Sequence, residues 1–301
     1  MKYSIIVPVY KDPALTNCLA GFRQLNFSNT DYEIIIVENG EKTDWIEHAT
    51  RQFGYQYIYS ETAGSYHARN LGMQAAQGDI FAFTDSDCVV DPDWLKELDA
   101  AFMQSTVAGL MGYTRGATTT SQIAQYEQRM YEANIAGFTG ETQLRRIDTR
   151  NFALRRSVYE KIGGFLDDIR FGGDMEYGAR AHQAGFKLIY NAKVCATHAN
   201  IEQLHVLLQK RVKQNAANLA LLTKHNAVFI QTYFPQLLRY RPGLAAYLWL
   251  AIYGLAYVKL WLVSPLLCQL LPTTAGYWLF KVSNVVAIRF GMLKAVVQSP
   301  V

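Results

Sequence analysis

Hydrophobic and polar positions alternate between two periods along the chain. Ile5–Val9 and Ile34–Val37 are apolar at nearly every position and rich in β-branched side chains, which predicts strands buried on both faces. Between them Leu15, Cys18, Leu19, Phe22 and Leu25 recur at spacings of three and four behind Pro13, which predicts an amphipathic helix over 13–26. The pattern continues as helix 43–52, strand 55–60, helix 66–77, strand 79–84, helix 92–104 entered at Pro92, and strand 107–113. Helix 119–137, strand 149–154, a short helix 155–163 and a helix 174–184 closed by Gly185 follow, then strands at 187–190 and 193–197. Strand–helix alternation over the first 110 residues predicts a doubly wound α/β sheet with its ligands at the carboxyl ends of the strands.

Beyond residue 200 the pattern changes. Residues 201–225 predict one long helix carrying Lys210, Arg211, Lys213 and Lys224. Leu244–Leu271 is apolar apart from Lys259 and a few uncharged polar side chains, with Pro265 inside the run. A spanning helix needs about 20 apolar residues. The segment 244–258 supplies 15, about 22 Å of helix, which is short. Carrying Lys259 into a bilayer costs about 2.5–3.5 kcal/mol, which the neighbouring leucines can offset. In 275–297, Lys281, Asn284 and Arg289 share about 140° of helical arc, an amphipathic pattern. The expectation is a membrane contact, spanning or interfacial; the alternative is a helix pair packed on the protein's own core.

Charge sharpens this division. The formal net charge of +4 over 301 residues conceals 19 Lys+Arg against 24 Asp+Glu in 1–200, and 10 Lys+Arg against the single acid Glu202 in 201–301. A basic, apolar tail points to the surface of an anionic membrane. DNA and RNA are excluded as expected partners, because the basic residues are interleaved with long apolar runs and do not gather on a polar face. A composition half hydrophobic and 13% aromatic excludes a disordered chain. The four scattered cysteines have no metal or disulfide spacing and read as reduced thiols. The opening apolar run is too short for a signal peptide and meets Pro8, so the body is expected in the cytoplasm.

No G-x-G-x-x-G, G-x-x-x-x-G-K-[ST] or G-x-S-x-G is present, so nicotinamide Rossmann, P-loop and α/β-hydrolase chemistries lose their support. Instead Asp85-Ser86-Asp87 lies just past a predicted strand. Two carboxylates at that position can share one hard cation, or divide between cation and ribose, and Mg²⁺ or Mn²⁺ prefers oxygen ligands and a substrate phosphate. Gly64–Asn70 starts a helix after the third strand and carries Arg69, a natural anion site. Asp174 opens a helix behind Gly172-Gly173, while Glu176 lies about 200° round that helix and points elsewhere. His198 ends the last strand.

In this order the segments resemble glycosyltransferase family 2 with the GT-A fold, over roughly residues 2–225. The motifs are Ile-Ile-Val-Pro-Val-Tyr at 5–10, Glu33–Gly40, Ala68-Arg69-Asn70, Thr84–Asp87, Gly163-Gly164-Phe165, Gly173-Asp174 and His198. The resemblance implies that Asn39 and the residues around Pro8, including Tyr10, contact the nucleotide base and that Asp85 meets the ribose. It further implies that Asp87 binds a metal on the diphosphate, that Arg69 lies near the diphosphate, that His198 is a further metal or diphosphate ligand, and that Asp174 is the catalytic base. Glu38-Asn39 stands where many members carry Asp-Asp or Asp-Asn, leaving uridine, thymidine and guanosine open. Gly173 stands where the motif often has Glu, leaving Asp174 as the only candidate base.

These readings predict an inverting transferase that uses Mn²⁺ or Mg²⁺ and moves a sugar from a nucleotide-sugar donor to a glycan or lipid-linked acceptor, at the cytoplasmic face of the membrane. Inversion needs one base for the acceptor proton and positive charge for the leaving diphosphate. A sugar-1-phosphate nucleotidyltransferase and a non-catalytic nucleotide-sugar-binding subunit are the alternatives. The expected organisation is a GT-A-like domain over 1–225 and a hydrophobic, basic helical tail over 226–301. Within the domain, 1–110 bind nucleotide, 111–200 the acceptor, and 201–225 form a closing helix.

Overall fold

The computed structural model describes residues 2–139, 143–240 and 243–298. Residues 241–242 and 299–301 of the expected tail lie outside that set. The elements run β1 (Tyr3–Val9), α1 (Leu15–Phe22), β2 (Tyr32–Asn39), α2 (Asp44–Gln52), β3 (Gln56–Ser60), α3 (Ser65–Ala75) and β4 (Ile80–Thr84). Next come β5 (Cys88–Val90), α4 (Trp94–Phe102), β6 (Val107–Gly116), α5 (Gln122–Ile135), β7 (Asn151–Arg155), α6 (Arg156–Ile162), α7 (Gly173–Gln183) and β8 (Lys187–His198). The rest is helical: α8 (Leu204–Asn218), α9 (Leu221–Lys224), α10 (Ala227–Tyr233), a 3-10 turn, α11 (Leu244–Leu270) and α12 (Thr273–Gln298). Contacts divide the chain into two compact units, Met1–Ala117 with Gly137–Ala199, and Thr118–Ala136 with Asn200–Val301.

The first unit is a mixed α/β sandwich. Its strands lie in the order β3-β2-β1-β4-β7-β6-β8-β5, with β1 to β4 parallel, β7 antiparallel to both neighbours, and β5 antiparallel to β8. Every residue of β1 and β4 is buried, as the continuous apolar runs require of central strands. Alternate residues of β1 serve the two faces. Tyr3, Ile5, Val7 and Val9 join the core under α1, α2 and α4, whereas Ile6 faces α3. At that contact Gly72 of α3 lies against Ile6, and a Cβ there would overlap it, so glycine sets the helix–sheet spacing.

Two of the expected boundaries change in this unit. The strands expected at 187–190 and 193–197 are one strand, β8, whose pairing to β6 shifts register between Gly112 and Tyr113. An irregularity of this kind places polar Asn191–Lys193 inside a continuous strand, which is why the pattern reads as a gap. The three-residue β5 was not expected. It pairs Cys88 with His198, Val89 with Thr197 and Val90 with Ala196. The four cysteines are free and buried.

In the second unit α8 ends at Asn218 and a separate turn of helix, α9, follows, so 201–225 is not one helix. Ile123 and Tyr126 of α5, Leu204, Leu207 and Leu208 of α8, Cys268 of α11 and Phe280 and Ala287 of α12 form its core. The apolar run read over Leu244–Leu271 forms one helix of 27 residues that passes through Lys259 and Pro265, about 40 Å long. The polar arc expected on 275–297 forms only in part. Of its three residues Asn284 is buried, donating through Nδ2 to the Phe280 carbonyl at 2.9 Å, while Lys281 and Arg289 are exposed. The reason is that α12 packs its middle against α8, as the core shared by Phe280, Ala287 and Leu208 shows.

Candidate active site

A cleft of about 490 Å³ opens at the carboxyl ends of β1 and β4, lined by Pro8, Tyr10, Ser65, Asp85, Ser86 and Asp87 among others. Parallel strands leave their C-terminal loops together at one edge, so the loop after β1 and the acidic loop after β4 meet there. Asp12 ties them: its Oδ2 accepts from Ser86 Oγ at 2.6 Å and its Oδ1 from the Ala14 N–H at 3.0 Å. Lys11 adopts a left-handed conformation in this turn (φ 48°), and its ammonium pairs with Glu41 Oε2 at 2.6 Å. Tyr10 is 53% exposed and presents its ring to the cleft edge.

Asn39 does not line the cleft. It is buried, donating through Nδ2 to the Val9 carbonyl at 2.9 Å and accepting at Oδ1 from the Gly64 N–H at 2.8 Å. It thereby pins the end of β1 to the start of α3. Glu38, also buried, accepts from the Thr43 N–H and hydroxyl at 2.7 and 2.8 Å and from Tyr57 Oη at 2.5 Å.

Arg69 is 2% exposed and pairs through Nη2 with Asp85 Oδ1. Its Nε–H finds no acceptor among the described residues, so a buried cationic donor is left over for an anion. Burial pushes the Asp85 carboxyl up, against the pull of Arg69 and with the repulsion of Asp87. On the other side of the acidic loop His198 Nε2 lies 3.3 Å from Asp87 Oδ2. The β5–β8 pairing makes this contact, since it sets Cys88 opposite His198.

Asp174 sits in the first turn of α7, which Gly172 enters in the left-handed region (φ 80°). Its Oδ1 accepts from the Met175 N–H at 2.9 Å and from the Tyr66 hydroxyl at 3.1 Å. Burial raises its carboxyl to about 6, helped by the charge of Asp148 and opposed by Met175 N–H, Arg69 and Tyr66. That value suits a general base near neutral pH. Gly173 has its own cause: a Cβ there would lie 2.7 Å from the Tyr66 ring. Tyr66 thus occupies the space a side chain at 173 would need, and stacks on Phe165 at 5.6 Å. Glu176 is fully buried against Arg180 (2.6 Å), away from this group.

Three further residues belong to the site. Asp148 is clamped by Arg150 through contacts of 2.6 to 3.1 Å. Burial opposes its ionisation, but the Arg150 charge and hydrogen bonds outweigh burial and hold the carboxyl below its ordinary value. Asp148 acts electrostatically on both Asp85 and Asp174, and His198 acts on Asp148. Tyr66 is the third, inside a segment whose Arg69 drew the attention. Nothing in the local pattern marks Asp148 and Arg150, which precede β7 in an irregular stretch.

Among the described residues no three His, Cys, Asp or Glu side chains converge as a metal site. Asp87 and His198 converge as two, a carboxylate oxygen and an imidazole nitrogen. Two protein ligands fit an Mn²⁺ or Mg²⁺ that takes its remaining ligands from a diphosphate and water.

The model of the family described as "Glycosyl transferase family 2" matches residues 4–163. Glycosyltransferase AglE of Haloferax volcanii is 29% identical over 208 residues, 65% of this chain and 66% of that protein. Putative glycosyltransferase EpsH of Bacillus subtilis is 27% identical over 253 residues, 76% of this chain and 69% of its own. The chain therefore spans about two thirds of the length of these relatives. Among solved structures, mannosyltransferase PcManGT from Pyrobaculum calidifontis, in complex with GDP-Man and Mn²⁺, superposes over 94% of this chain and 87% of its own with a TM-score of 0.61 at 17% identity, a likeness of fold. With its mixed GT-A-type sheet and a family match over more than half its length, the chain belongs to glycosyl transferase family 2 and carries a glycosyltransferase domain.

Proposed function

We propose that the protein transfers a sugar from a nucleotide-sugar donor to a hydroxyl of a glycan or lipid-linked acceptor, with inversion at the anomeric carbon. The observation that carries this reading is Asp174, a single carboxylate raised to about 6 and held by Tyr66 and Met175 N–H in one electrostatic cluster with Arg69, Asp148 and Asp85. Retention by the double displacement of glycosidases would need a second carboxylate flanking the bond. The other acids of the cluster are engaged, Asp148 by Arg150 and Asp85 by Arg69, and Glu176 is turned away to Arg180, which supports inversion.

In this reading Tyr10 and Pro8 form the platform for the base, with Asn39 shaping it from below, and Asp85 meets the ribose. Asp87 and His198 hold a divalent cation, which when bound supplies Lewis-acid stabilisation to the diphosphate. Arg69 contributes fixed positive charge to the same group. Asp174 takes the acceptor proton as the hydroxyl attacks. The Mn²⁺ in the PcManGT complex supports a cation, and its GDP-Man a nucleotide-sugar donor. The basic, apolar C-terminal tail supports work at the cytoplasmic face of a membrane, on an anionic lipid surface.

A donor screen tests the reading: uridine, thymidine and guanosine diphosphate sugars with Mn²⁺, scored by nucleoside diphosphate release and by the anomeric configuration of the product in proton NMR. Transfer with inverted configuration is expected from one donor class. A retained configuration, or Asp174→Asn transferring at the wild-type rate, refutes it.

A further inference from the structure

The helix α11 has two sides. One side, with Ala246, Ser264 and Cys268, is buried within the second unit, and Ser264 Oγ meets Ser283 Oγ of α12 at 2.9 Å. The opposite side is exposed along the whole length: Leu244 is 89% exposed, Leu248 63%, Leu255 68%, Leu262 64%, Leu266 61% and Leu270 70%. An apolar stripe of about 40 Å exceeds what a soluble surface ordinarily shows. Lys259 is the one charged side chain within it. The core helix of a soluble protein can be as long and apolar, but only 6% of the most apolar stretch of α11 is buried.

At about 40 Å the helix is long enough to cross a 30 Å hydrocarbon core. Its packing argues otherwise. The hairpin partner α12 lies directly on α8: a Cβ at Gly291 would overlap the Val212 backbone, and Phe280 and Ala287 share a core with Leu204, Leu207 and Leu208. The helix α8 carries Lys210, Arg211 and Lys213, and Arg211 pairs with Glu127 of α5 at 3.2 Å. A hairpin crossing the bilayer would draw these charges in, at about 2.5–3.5 kcal/mol each. Lying flat, α11 buries only its leucine side and keeps α8 and α5 in water.

Charge selects the partner. No acidic residue occurs in 203–301, whereas Lys259, Lys281, Arg289 and Lys294 are exposed on α11 and α12. We propose that α11 is an in-plane docking surface for an anionic lipid bilayer, with its leucine stripe in the acyl boundary and Lys259 reaching back to the headgroups. The proposal rests on the membrane reading above and adds its geometry.

The test uses the full chain with vesicles of phosphatidylcholine alone or with 30% (about one lipid in three) phosphatidylserine. Sedimentation is expected with the anionic vesicles, about fivefold weaker in Lys259→Gln. Leu255→Glu with Leu262→Glu, two exposed positions whose replacement is checked for an unchanged circular dichroism spectrum, is expected to weaken it more than about tenfold. Fluorophores attached at Leu244→Cys, Leu255→Cys and Leu266→Cys, with the native thiols buried, are expected to show one shallow depth by lipid-borne quenchers. A deeper label at 255 than at 244 and 266 means a spanning helix and overturns the in-plane geometry while leaving the membrane reading intact. No binding of the unaltered protein to either vesicle overturns both. A dimer that the two glutamates dissolve, without vesicle binding, assigns the stripe to a second copy and overturns the proposal.

Discussion

Replacing Tyr66 by phenylalanine removes one hydroxyl and leaves the ring that fills the space over Gly173. The lost bond, 3.1 Å from Tyr66 Oη to Asp174 Oδ1, favours the ionised carboxylate. Hydrogen bonds to charged groups contribute about 1.5–3 kcal/mol, and part of that persists when the acid is protonated. A differential of about 1.4 kcal/mol is one pKa unit, so Asp174 should move from about 6 to about 7. The ionised fraction at pH 6.5 then falls from about three quarters to about one quarter, a threefold loss of rate, while at pH 8.5 the two enzymes differ by only a few per cent. Nucleoside diphosphate release under kcat/KM conditions, from pH 5.5 to 9, reads the shift in the acid limb directly. An unmoved limb refutes the reasoning. A loss of equal size at every pH refutes it too, because that outcome belongs to a displaced carboxylate and not to a less acidic one. Tyr66→Leu, which also vacates the ring's space, should lose rate across the whole range.

The remaining predictions concern charge. Asp174→Asn should lower kcat by about 10²–10⁴-fold, and should also change stability in a pH-dependent way. The folded carboxyl titrates near 6 against 3.8 unfolded, so the wild type is most stable below the unfolded value and loses stability as pH rises through 6. The variant lacks that loss, so its relative stability should grow between pH 4 and 6 and level off above, by at most about 3 kcal/mol; a Tm difference independent of pH contradicts this. Asp87→Asn and His198→Gln should each raise the Mn²⁺ concentration for half-maximal activity by about tenfold or more, measured by metal titration of nucleoside diphosphate release; an unchanged midpoint removes them from the metal site. Arg180→Met removes the guanidinium that pairs with the fully buried Glu176, and should cost about 3–5 kcal/mol in urea unfolding; a loss under 1 kcal/mol (roughly an exposed pair's value) would show that the pair does not hold α7 in place.

Much of the first unit is legible because its signals are local. Ile5–Val9 and Ile34–Val37 read as central strands since burial on both faces requires apolar residues at consecutive positions. The acidic loop at 85–87 and the glycine entry to α7 read as chemistry because they sit at element ends. The β5 strand did not read, since three residues carry no period, and β8 was split because Asn191–Lys193 interrupts its apolar pattern. The end of α8 did not read either, since the chain from Leu204 to Lys224 shows no proline or glycine where α8 gives way to α9.

The order of strands and helices, the acidic loop, the charge division at residue 200 and the family resemblance all belong to the sequence by itself, because each depends on residues near one another in the chain. Only the tertiary structure set His198 beside Asp87, through the β5–β8 pairing, and Tyr66 against Asp174 across 108 positions. It alone brought Asp148 and Arg150 into the site, withdrew Asn39 beneath it, and turned Asn284 of α12 inward and the leucines of α11 outward. Register between distant strands and the choice of buried face depend on which surfaces meet, and a side chain's pKa depends on the water and charge around it. Neither quantity exists until the chain has closed on itself.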